Sequence, residues 1–404
     1  MTFSELGLQK FLTDKCEQLG YTEPTPIQKQ AIPIVLEGGD IIACAETGTG
    51  KTAAFLLPIL QQLAAENKNK PGTRVLVLSP TRELANQTEA ACKQFAPKGI
   101  TCCAIIGGAG YKRQIEDLRR GANIIIATPG RLMDFMEQGM INFSSLTTLV
   151  LDEADRMLDM GFLPSIKRIV KAVPAKRQTL FFSATMSPEI EHIAYAMLKD
   201  PKFIEVSVRG KASGLIEQTA YPVAQQFKMP LLLDLLDKED FDRVLVFTRT
   251  KRGADRIAHI LEKRSHKSNR IHGDRSQSQR EAALRSFKNG HTNVLVATDV
   301  AARGIDIDSV SHVINYDIPE APEDYVHRIG RTGRAGNKGK AITLFTIAEE
   351  HSMRSIERLT GERVERVLLP DFGGHSAPAA VAPGKKTGAP ARKTFRSFGP
   401  RRGR

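Results

Sequence analysis

Residues 40–52, DIIACAETGTGKT, decide the fold because they join an apolar run, a glycine-rich turn and the start of a helix. The apolar run predicts a strand over Asp40–Ala45. In such a turn the glycines let backbone N–H groups converge on a phosphate, and the helix N-terminus favours its negative charge. The pattern G-x-x-x-x-G-K-[ST] lacks its first glycine here, since residue 45 is alanine. By itself the segment fits either a phosphate-binding loop or an ordinary glycine-rich turn.

Short apolar runs alternate with amphipathic segments on both sides of this turn. Before residue 209 the further predicted strands are Arg74–Ser79, Thr101–Ile106, Asn123–Ala127, Thr148–Asp152 and Thr179–Ser183, with helices over Arg82–Phe95 and Tyr111–Arg120. After residue 214 the predicted strands are Arg243–Thr248, Asn293–Ala297, Ser311–Tyr316 and Lys340–Phe345, with helices near Arg252–Lys263 and Gln277–Lys288. The alternation predicts an α/β fold with parallel sheets covered on both faces.

The alternation divides the chain into four parts. We expect one α/β domain over residues 1–208, a flexible linker over 209–214 (RGKASG), and a second α/β domain over 215–370. Residues 371–404 contain four prolines, six glycines and six alanines and show no hydrophobic period. Such a composition cannot bury a core, so we expect a disordered tail.

Charge is distributed unevenly along the 404 residues. Lys and Arg number 58 against 45 Asp and Glu, which gives a net charge of +13. Residues 371–404 hold eight basic residues and one acidic residue, so the tail carries +7 and the rest of the chain +6. A basic body with a strongly basic tail indicates a polyanionic partner, nucleic acid before membrane.

Composition excludes several classes of protein. The five cysteines form no C-x-x-C pair, which argues against a disulfide framework or a zinc site and favours a reducing cytoplasm. The N-terminus lacks the pattern of a signal peptide, and no apolar run approaches the roughly 18 residues that a membrane span needs. We therefore expect a cytoplasmic protein that is neither secreted nor embedded in a membrane.

An acidic tetrapeptide, DEAD (Asp152–Asp155), follows the apolar run Thr148–Leu151. If the upstream turn is a phosphate loop, Lys51 would reach the β- and γ-phosphates, and Thr52 with Asp152 would hold Mg²⁺. Glu153 could then polarise the attacking water. Acidic residues also favour the first turn of a helix. Downstream of a phosphate loop in an α/β chain, the catalytic interpretation is the better one.

The second half of the chain carries HRIGRTGR over residues 327–334. Arg328, Arg331 and Arg334 recur every three residues. Arginines of a second domain that reach a γ-phosphate would stabilise the charge of the transition state. A solvated basic face or a plain RNA-binding patch would explain the same pattern.

These motifs occur in the order found in DEAD-box RNA helicases, and the chain resembles that family over essentially all of residues 1–370. The matching segments are Phe3 with Gly20-Tyr21 and Pro24–Gln28 (the Q motif, residues 1–28), AETGTGKT (45–52), PTRELA (80–85), Gly107-Gly108, TPGR (128–131), DEAD (152–155), SAT (183–185), VLVFTRT (244–250), Gln277-x-x-Arg280, ATDVAARGIDI (297–307) and HRIGRTGR (327–334). The resemblance implies two RecA-like domains. The run DEADRMLDMGF (152–162), the short N-terminus and the basic tail are most similar to the bacterial RhlE-type group.

The resemblance also implies ATP and Mg²⁺ as ligands, with Gln28 at the adenine edge, where an amide can both donate and accept. By family position the ATP-binding residues are Phe3, Tyr21, Gln28, Thr47, Gly48, Thr49, Gly50, Lys51, Thr52, Gly304 and Asp306. The implied catalytic residues are Lys51, Asp152, Glu153, Arg331 and Arg334, and the implied metal ligands are Thr52 and Asp152. The site would be complete only when the two domains close.

RNA is the implied partner, either as a single strand or as a short duplex, and it is bound without sequence preference. The implied RNA-binding residues are Pro80, Thr81, Arg82, Gly108, Thr128, Arg131, Arg249, Gly273, Gln277 and Thr298. Small, hydroxylated and basic residues suit phosphate and ribose contacts rather than base readout. In the basic tail, interleaved Phe and Arg residues suit single strands, although a solubilising tail has the same composition.

Ser183, Thr185 and His327 are implied to couple the ATP site to duplex separation. SAT also fits a plain strand end whose hydroxyl satisfies local backbone. In relatives the helix after TPGR, here residues 132–138, bends one strand and opens short duplexes. Two other functions fit the same two domains: an ATP-dependent RNA clamp that serves as an assembly platform, and a DNA translocase. The Q motif and the DEAD tetrapeptide argue against the translocase.

Overall fold

The computed structural model describes residues 1–45, 48–65, 72–206, 216–238, 241–302, 310–333 and 338–372. Within these ranges the strands form two seven-stranded sheets, one after the other along the chain, and all of their pairings are parallel. The two sheets confirm the predicted α/β fold. None of the helices in the described ranges combines the length and apolar character that a bilayer span requires.

The first sheet has the strand order β3-β4-β2-β5-β6-β1-β7. Its strands are β1 Ile41–Cys44, β2 Val75–Leu78, β3 Cys102–Ile105, β4 Ile124–Ala127, β5 Thr148–Leu151, β6 Gln178–Ser183 and β7 Lys202–Glu205. The helices of this part are α1 Lys10–Gln18, α2 Pro26–Leu36, α3 Lys51–Ala65, α4 Arg82–Phe95, α5 Tyr111–Arg119, α6 Pro129–Glu137, α7 Ala154–Asp159, α8 Leu163–Ala172 and α9 Pro188–Met197.

The second sheet has the order β10-β11-β9-β12-β13-β8-β14. Its strands are β8 Ile216–Pro222, β9 Val244–Phe247, β10 Ser268–Ile271, β11 Val294–Ala297, β12 His312–Asn315, β13 Gly339–Phe345 and β14 Glu365–Arg366. The helices are α10 Lys228–Lys238, α11 Lys251–Lys263, α12 Gln277–Lys288, α13 Asp299–Ala302, α14 Pro322–Ile329 and α15 Glu350–Thr360, with 3₁₀ turns over Gln225–Phe227, Ile347–Glu349 and Pro370–Phe372.

Each central strand contributes to two cores, one on each face of its sheet. In β1, Ile41 and Ala43 pack into one apolar cluster and Ile42 and Cys44 into another. Successive side chains of a strand point to opposite faces, so a strand covered by helices on both sides must be apolar at every position. This explains why the central strands are continuous apolar runs in the sequence.

The predicted strands are confirmed, with no end shifted by more than one residue. The sequence did not predict β7, β8, β10 and β14. β7, β10 and β14 are edge strands of their sheets. They contain polar residues because the outer side of an edge strand is not covered. β8 lies beside the two-residue β14 and contains the polar run Glu217-Gln218-Thr219, which interrupts the apolar pattern of a covered strand. The expected linker, 209–214, and residues 373–404 of the expected tail lie outside the described residues.

Candidate active site and nucleic-acid interface

The strand order brings the predicted nucleotide motifs together. β5, β6 and β1 are neighbours in the first sheet, and Cys44 at the end of β1 pairs with Ser183 at the end of β6. DEAD follows β5, SAT begins at the end of β6, and the glycine-rich turn follows β1. Because parallel strands end at the same edge, these three motifs face one crevice.

Two glycines of the glycine-rich turn have left-handed backbones. Gly48 and Gly50 have φ values of +85° and +92°, which L side chains rarely adopt. Lys51 begins α3, is 6% exposed, and donates from Nζ to the Ala45 carbonyl at 2.8 Å. Thr52 lies in the first turn of α3. Thr47 lies outside the described residues.

Gln28 connects the Q motif to this turn. Its Oε1 accepts from the Thr25 backbone N–H at 2.9 Å, and its Nε2 donates to the Gly50 carbonyl at 3.1 Å. Thr25 and Gln28 form the capping box of α2. Phe3 is buried in the core of the first domain, while Tyr21 is 39% exposed and packs edge-on against Phe95.

The two acidic groups of the site have opposite electrostatic environments. Burial raises the pKa of Asp152 to about 7, although the charge of Lys51 opposes this. Burial would also raise the pKa of Glu153, but the positive charges of Arg156, Lys51 and Arg331 lower it to about 2. Glu153 therefore remains ionised, and its left-handed backbone, with φ at +50°, is strained as functional residues often are.

Asp155 connects DEAD to SAT and faces the second domain. Its Oδ2 accepts from the backbone N–H of Ala184 at 3.0 Å, and from the N–H and hydroxyl of Thr185 at 2.8 and 3.0 Å. Ser183 donates its hydroxyl to the Thr185 carbonyl at 2.6 Å. Nε2 of His327, from α14, lies 3.9 Å from the same Asp155 oxygen. The predicted coupling residues thus lie in one continuous cluster.

The arginines of HRIGRTGR have different environments. Arg328 is 2% exposed and binds Asp299 through two contacts of 2.6 Å, so it belongs to the interior of the second domain. Arg331, 4% exposed, acts electrostatically on Glu153 of the first domain. The charge of Arg331 thus acts on the predicted catalytic carboxylate. Arg334, Gly304 and Asp306 lie outside the described residues.

The predicted RNA-binding residues of the first domain lie at the other half of the same sheet edge, where β3, β4 and β2 are neighbours. Thr81 and Thr128 are the N-caps of α4 and α6. The Arg82 guanidinium lies so close to Gly108 that a Cβ there would come 2.0 Å from its Nη1. Pro80 precedes Thr81, and Arg131 lies over the ring of Tyr111 at 5.2 Å.

The second domain repeats this arrangement. Arg249 follows β9, Thr298 follows β11, and Gly273 and Gln277 follow β10, and these three strands are neighbours. Thr298 is buried, Gly273 is exposed, and Arg249 is half-exposed. In each sheet, the predicted RNA-binding residues therefore follow neighbouring strands and lie along one edge of that sheet.

One contact between the domains was not predicted from the sequence. Glu83, 6% exposed in α4, accepts from Gln277 Nε2 at 3.2 Å and pairs with Arg280 Nη2 at 2.9 Å. The sequence predicts that PTRELA and Gln277-x-x-Arg280 contact RNA, and it does not predict that they contact each other. A charged Glu within PTRELA and an Arg within Q-x-x-R are the only sequence signals of this pairing.

Two protein families match this chain. Residues 25–193 match "DEAD/DEAH box helicase" and residues 227–336 match "Helicase conserved C-terminal domain". These ranges contain most of the motifs described above.

Individual proteins are similar over nearly the whole chain. ATP-dependent RNA helicase CshA of Limosilactobacillus reuteri is 45% identical over 90% of this chain and 73% of its own length. DEAD-box ATP-dependent RNA helicase CshA of Geobacillus kaustophilus is 44% identical, over 91% and 79% respectively. The structure of S. cerevisiae Dbp5 bound to RNA and ADP BeF3 superimposes with a TM-score of 0.83 at 31% identity, covering 91% of this chain and 95% of Dbp5. The chain belongs to the DEAD-box family of ATP-dependent RNA helicases.

Proposed function

We propose that this protein binds RNA without sequence preference across both domains and unwinds short duplexes, or remodels ribonucleoprotein, as it hydrolyses ATP. The observation that carries the proposal is the contact between the domains at the predicted site. Nε2 of His327 in the second domain lies 3.9 Å from Oδ2 of Asp155 in the first, and the charge of Arg331 acts on Glu153. The solved complex of Dbp5 with RNA and ADP BeF3 supports the same ligands for this fold.

The proposed chemistry is phosphoryl transfer to water. Glu153 orients the water and accepts its proton, Lys51 neutralises the β- and γ-phosphates, and Arg331 with Arg334 stabilises the charge of the transition state. Gln28, Phe3 or Tyr21, the loop from Thr47 to Thr52, and Gly304 with Asp306 form the proposed ATP site. ADP and phosphate are the products.

Mg²⁺ is part of this proposal. Among the described residues no group of three or more His, Cys, Asp or Glu side chains could hold a metal by itself. The hard oxygens of Asp152 and Thr52 nevertheless suit Mg²⁺, which takes few protein ligands and completes its shell with phosphates and water. When bound, the ion would neutralise phosphate charge. Burial raises the pKa of Asp152, and the positive charge of Lys51 acts in the opposite direction.

The proposed RNA path follows the edges of both sheets, from Gly108, Thr128 and Arg131 to Arg249 and Thr298. Because Glu83, Gln277 and Arg280 connect the domains along this path, ATP and RNA would stabilise the same closed arrangement. Ser183, Thr185 and His327 would transmit that closure from the ATP site. The domain division at 208 and 215 and the role of the tail in retaining RNA belong to the same proposal.

We also propose a cytoplasmic location and membership of the bacterial RhlE-type group. The free cysteines of the described part suit a reducing compartment. The run DEADRMLDMGF supports the group, whereas the relatives named above are CshA proteins. Deletion of residues 371–404 tests the proposed role of the tail in retaining RNA. RNA affinity should fall, and an unchanged affinity would contradict that role.

The first experiment is ATPase turnover with and without single-stranded RNA, in wild type and in Glu153→Gln. RNA should stimulate the wild type, and the variant should lose about 10²–10⁴-fold while still binding RNA. Glu189→Gln, on the exposed surface of α9, is the matched control. Stimulation by DNA but not RNA would overturn the proposal in favour of a translocase. Long-lived RNA binding under ATP without duplex opening would favour the clamp.

A further inference from the structure

A lysine without solvent contact lies beside the predicted RNA face of the second domain. Lys228 is 0% exposed, and its Nζ lies 3.1 Å from Glu349 Oε2 and 3.9 Å from Asp317 Oδ1. It is the first residue of α10, where the helix dipole disfavours a positive charge. The two carboxylates must therefore provide the stabilisation that a buried ammonium group requires.

The same two carboxylates hold Arg249. Glu349 Oε1 accepts from Arg249 Nη2 at 3.2 Å, and Asp317 Oδ2 accepts from the Arg249 backbone N–H at 3.0 Å. The Ile318 carbonyl also accepts from Nη2, at 3.2 Å. The contacts to Glu349 and Ile318 occupy Nη2 at one end of the guanidinium, while 44% of the Arg249 side chain is exposed. Within the described part of the chain, Nε and Nη1 of Arg249 make no hydrogen bond to the protein.

The cluster of Lys228, Arg249, Asp317 and Glu349 contains two positive and two negative charges. Glu349 is fixed independently, because the N–H and hydroxyl of Thr346 donate to its Oε2 at 2.9 and 3.1 Å. Without the charge of Lys228, Glu349 would keep only Arg249 as a cationic partner among the described residues, and Asp317, which binds Arg249 through its backbone N–H, would lack an ion pair there. A second contact to the guanidinium would then compete with a phosphate for the same donors.

We propose that Lys228, Asp317 and Glu349 are positioning residues that hold the Arg249 guanidinium with its free donors directed at an RNA phosphate. Lys228 is buried, so RNA cannot contact it. Its positive charge pairs with the carboxylates, which would otherwise bind further donors of the Arg249 guanidinium and draw it away from RNA. The inference rests on the proposed function, because Arg249 is a predicted RNA contact.

The test is binding of a fluorescein-labelled single-stranded oligouridylate with ADP–beryllium fluoride, over a series of salt concentrations. Arg249→Ala should weaken binding about tenfold, and its slope of log affinity against log salt should fall by about 0.7, the value for one phosphate on a single strand. Lys228→Met should reproduce both changes although residue 228 is buried. The double variant should bind no more weakly than Arg249→Ala alone, as expected for one shared contact.

Steady-state ATPase separates positioning from a general loss of structure. Lys228→Met should raise the KM for RNA and leave kcat at saturating RNA within about twofold of wild type. Lys238→Met, at the exposed end of the same helix and paired with Asp234, is the control and should change neither. Glu349→Gln keeps the shape of the side chain, so it serves as the second variant where Lys228→Met does not fold.

Two outcomes would overturn the inference. In the first, Lys228→Met or Glu349→Gln folds and binds RNA with the affinity and salt slope of the wild type. In the second, the losses of affinity caused by Lys228→Met and Arg249→Ala add up in the double variant. Both require a wild type whose ATPase responds to RNA. A wild type without that response would overturn the proposed function itself, so the two failures are distinguishable.

Discussion

Nη2 of Arg280, in the second domain, lies 2.9 Å from Oε1 of Glu83 in the first, and the Glu83 side chain is almost fully buried. The Gln277 amide donates to the same oxygen. An ion pair that exists only where the domains meet stabilises closure rather than either domain alone. Glu83 and Arg280 are therefore a direct link between motifs that the sequence places about 200 residues apart.

We expect Arg280→Met to weaken closure, because it leaves Glu83 buried without its charged partner. The KM values for ATP and RNA should both rise by about tenfold or more, since both ligands bind the closed state. The measurement is RNA-stimulated ATPase as a function of each ligand. The melting temperature should hardly change.

A charge exchange checks that the pair itself is responsible. Glu83→Arg combined with Arg280→Glu should recover part of the activity that each single variant loses. No recovery would show that the two residues act separately, for example each on RNA.

Gly50→Ala should abolish ATP binding. A Cβ at this position would come 2.5 Å from Gln28 Nε2, and the backbone has φ at +92°. The contact would displace either the loop or the amide predicted to read adenine. Binding of a fluorescent ATP analogue measures the loss.

Gly99→Ala is the matched control, because its backbone is also left-handed, with φ at +94°, and a Cβ there would meet nothing within 4 Å. It should cost about 1 kcal/mol of stability and leave ATP affinity unchanged. Equal losses in both variants would mean that backbone strain, not the contact with Gln28, is the cause.

Two arginines of one motif should respond in opposite ways. Arg331→Ala should lower RNA-stimulated kcat about a thousandfold and lower the melting temperature less than Arg328→Ala does, because the charge of Arg331 acts on the catalytic carboxylate. Arg328→Ala should destabilise the second domain by roughly 3 kcal/mol, because it leaves Asp299 unpaired. Thermal unfolding and ATPase, measured on both variants, check this. Similar profiles for the two would contradict the assignment.

Asp152 should make the stability of the nucleotide-free protein depend on pH. Its pKa of about 7 lies above the ordinary 3.8, so the folded protein binds this proton more tightly than the unfolded chain. Its contribution to the free energy of unfolding is complete below about pH 4 and is lost as the pH rises to about 7.

Asp152→Asn removes this dependence. In EDTA at about pH 8 the variant should be more stable than wild type, by at most about 4 kcal/mol, and the difference should shrink toward pH 4. Urea unfolding at several pH values measures it, with the exposed Asp242→Asn as control. A difference that does not vary with pH would show that Asp152 is ionised throughout.

Much of the fold and the site followed from local sequence. Val75–Leu78 and Thr148–Leu151 were recognisable as central strands because covered strands are apolar throughout. Lys51, Asp152 and Glu153 were recognisable because their motifs follow such strands. β7 and β10 were not, because edge strands carry polar residues and lack that pattern.

The sequence by itself determined that this protein has two parallel α/β sheets with a phosphate loop and DEAD at strand ends, since these features depend on neighbouring residues and on hydrophobic period. Only the tertiary structure decided the strand order, and with it the separation of the predicted ATP-binding residues from the predicted RNA-binding residues along one sheet edge. It also decided that Arg328 binds Asp299 while the charge of Arg331 acts on Glu153, and that Glu83 meets Arg280. Those pairings join residues distant in the chain, and they form only when packing of the apolar cores brings the strand ends together.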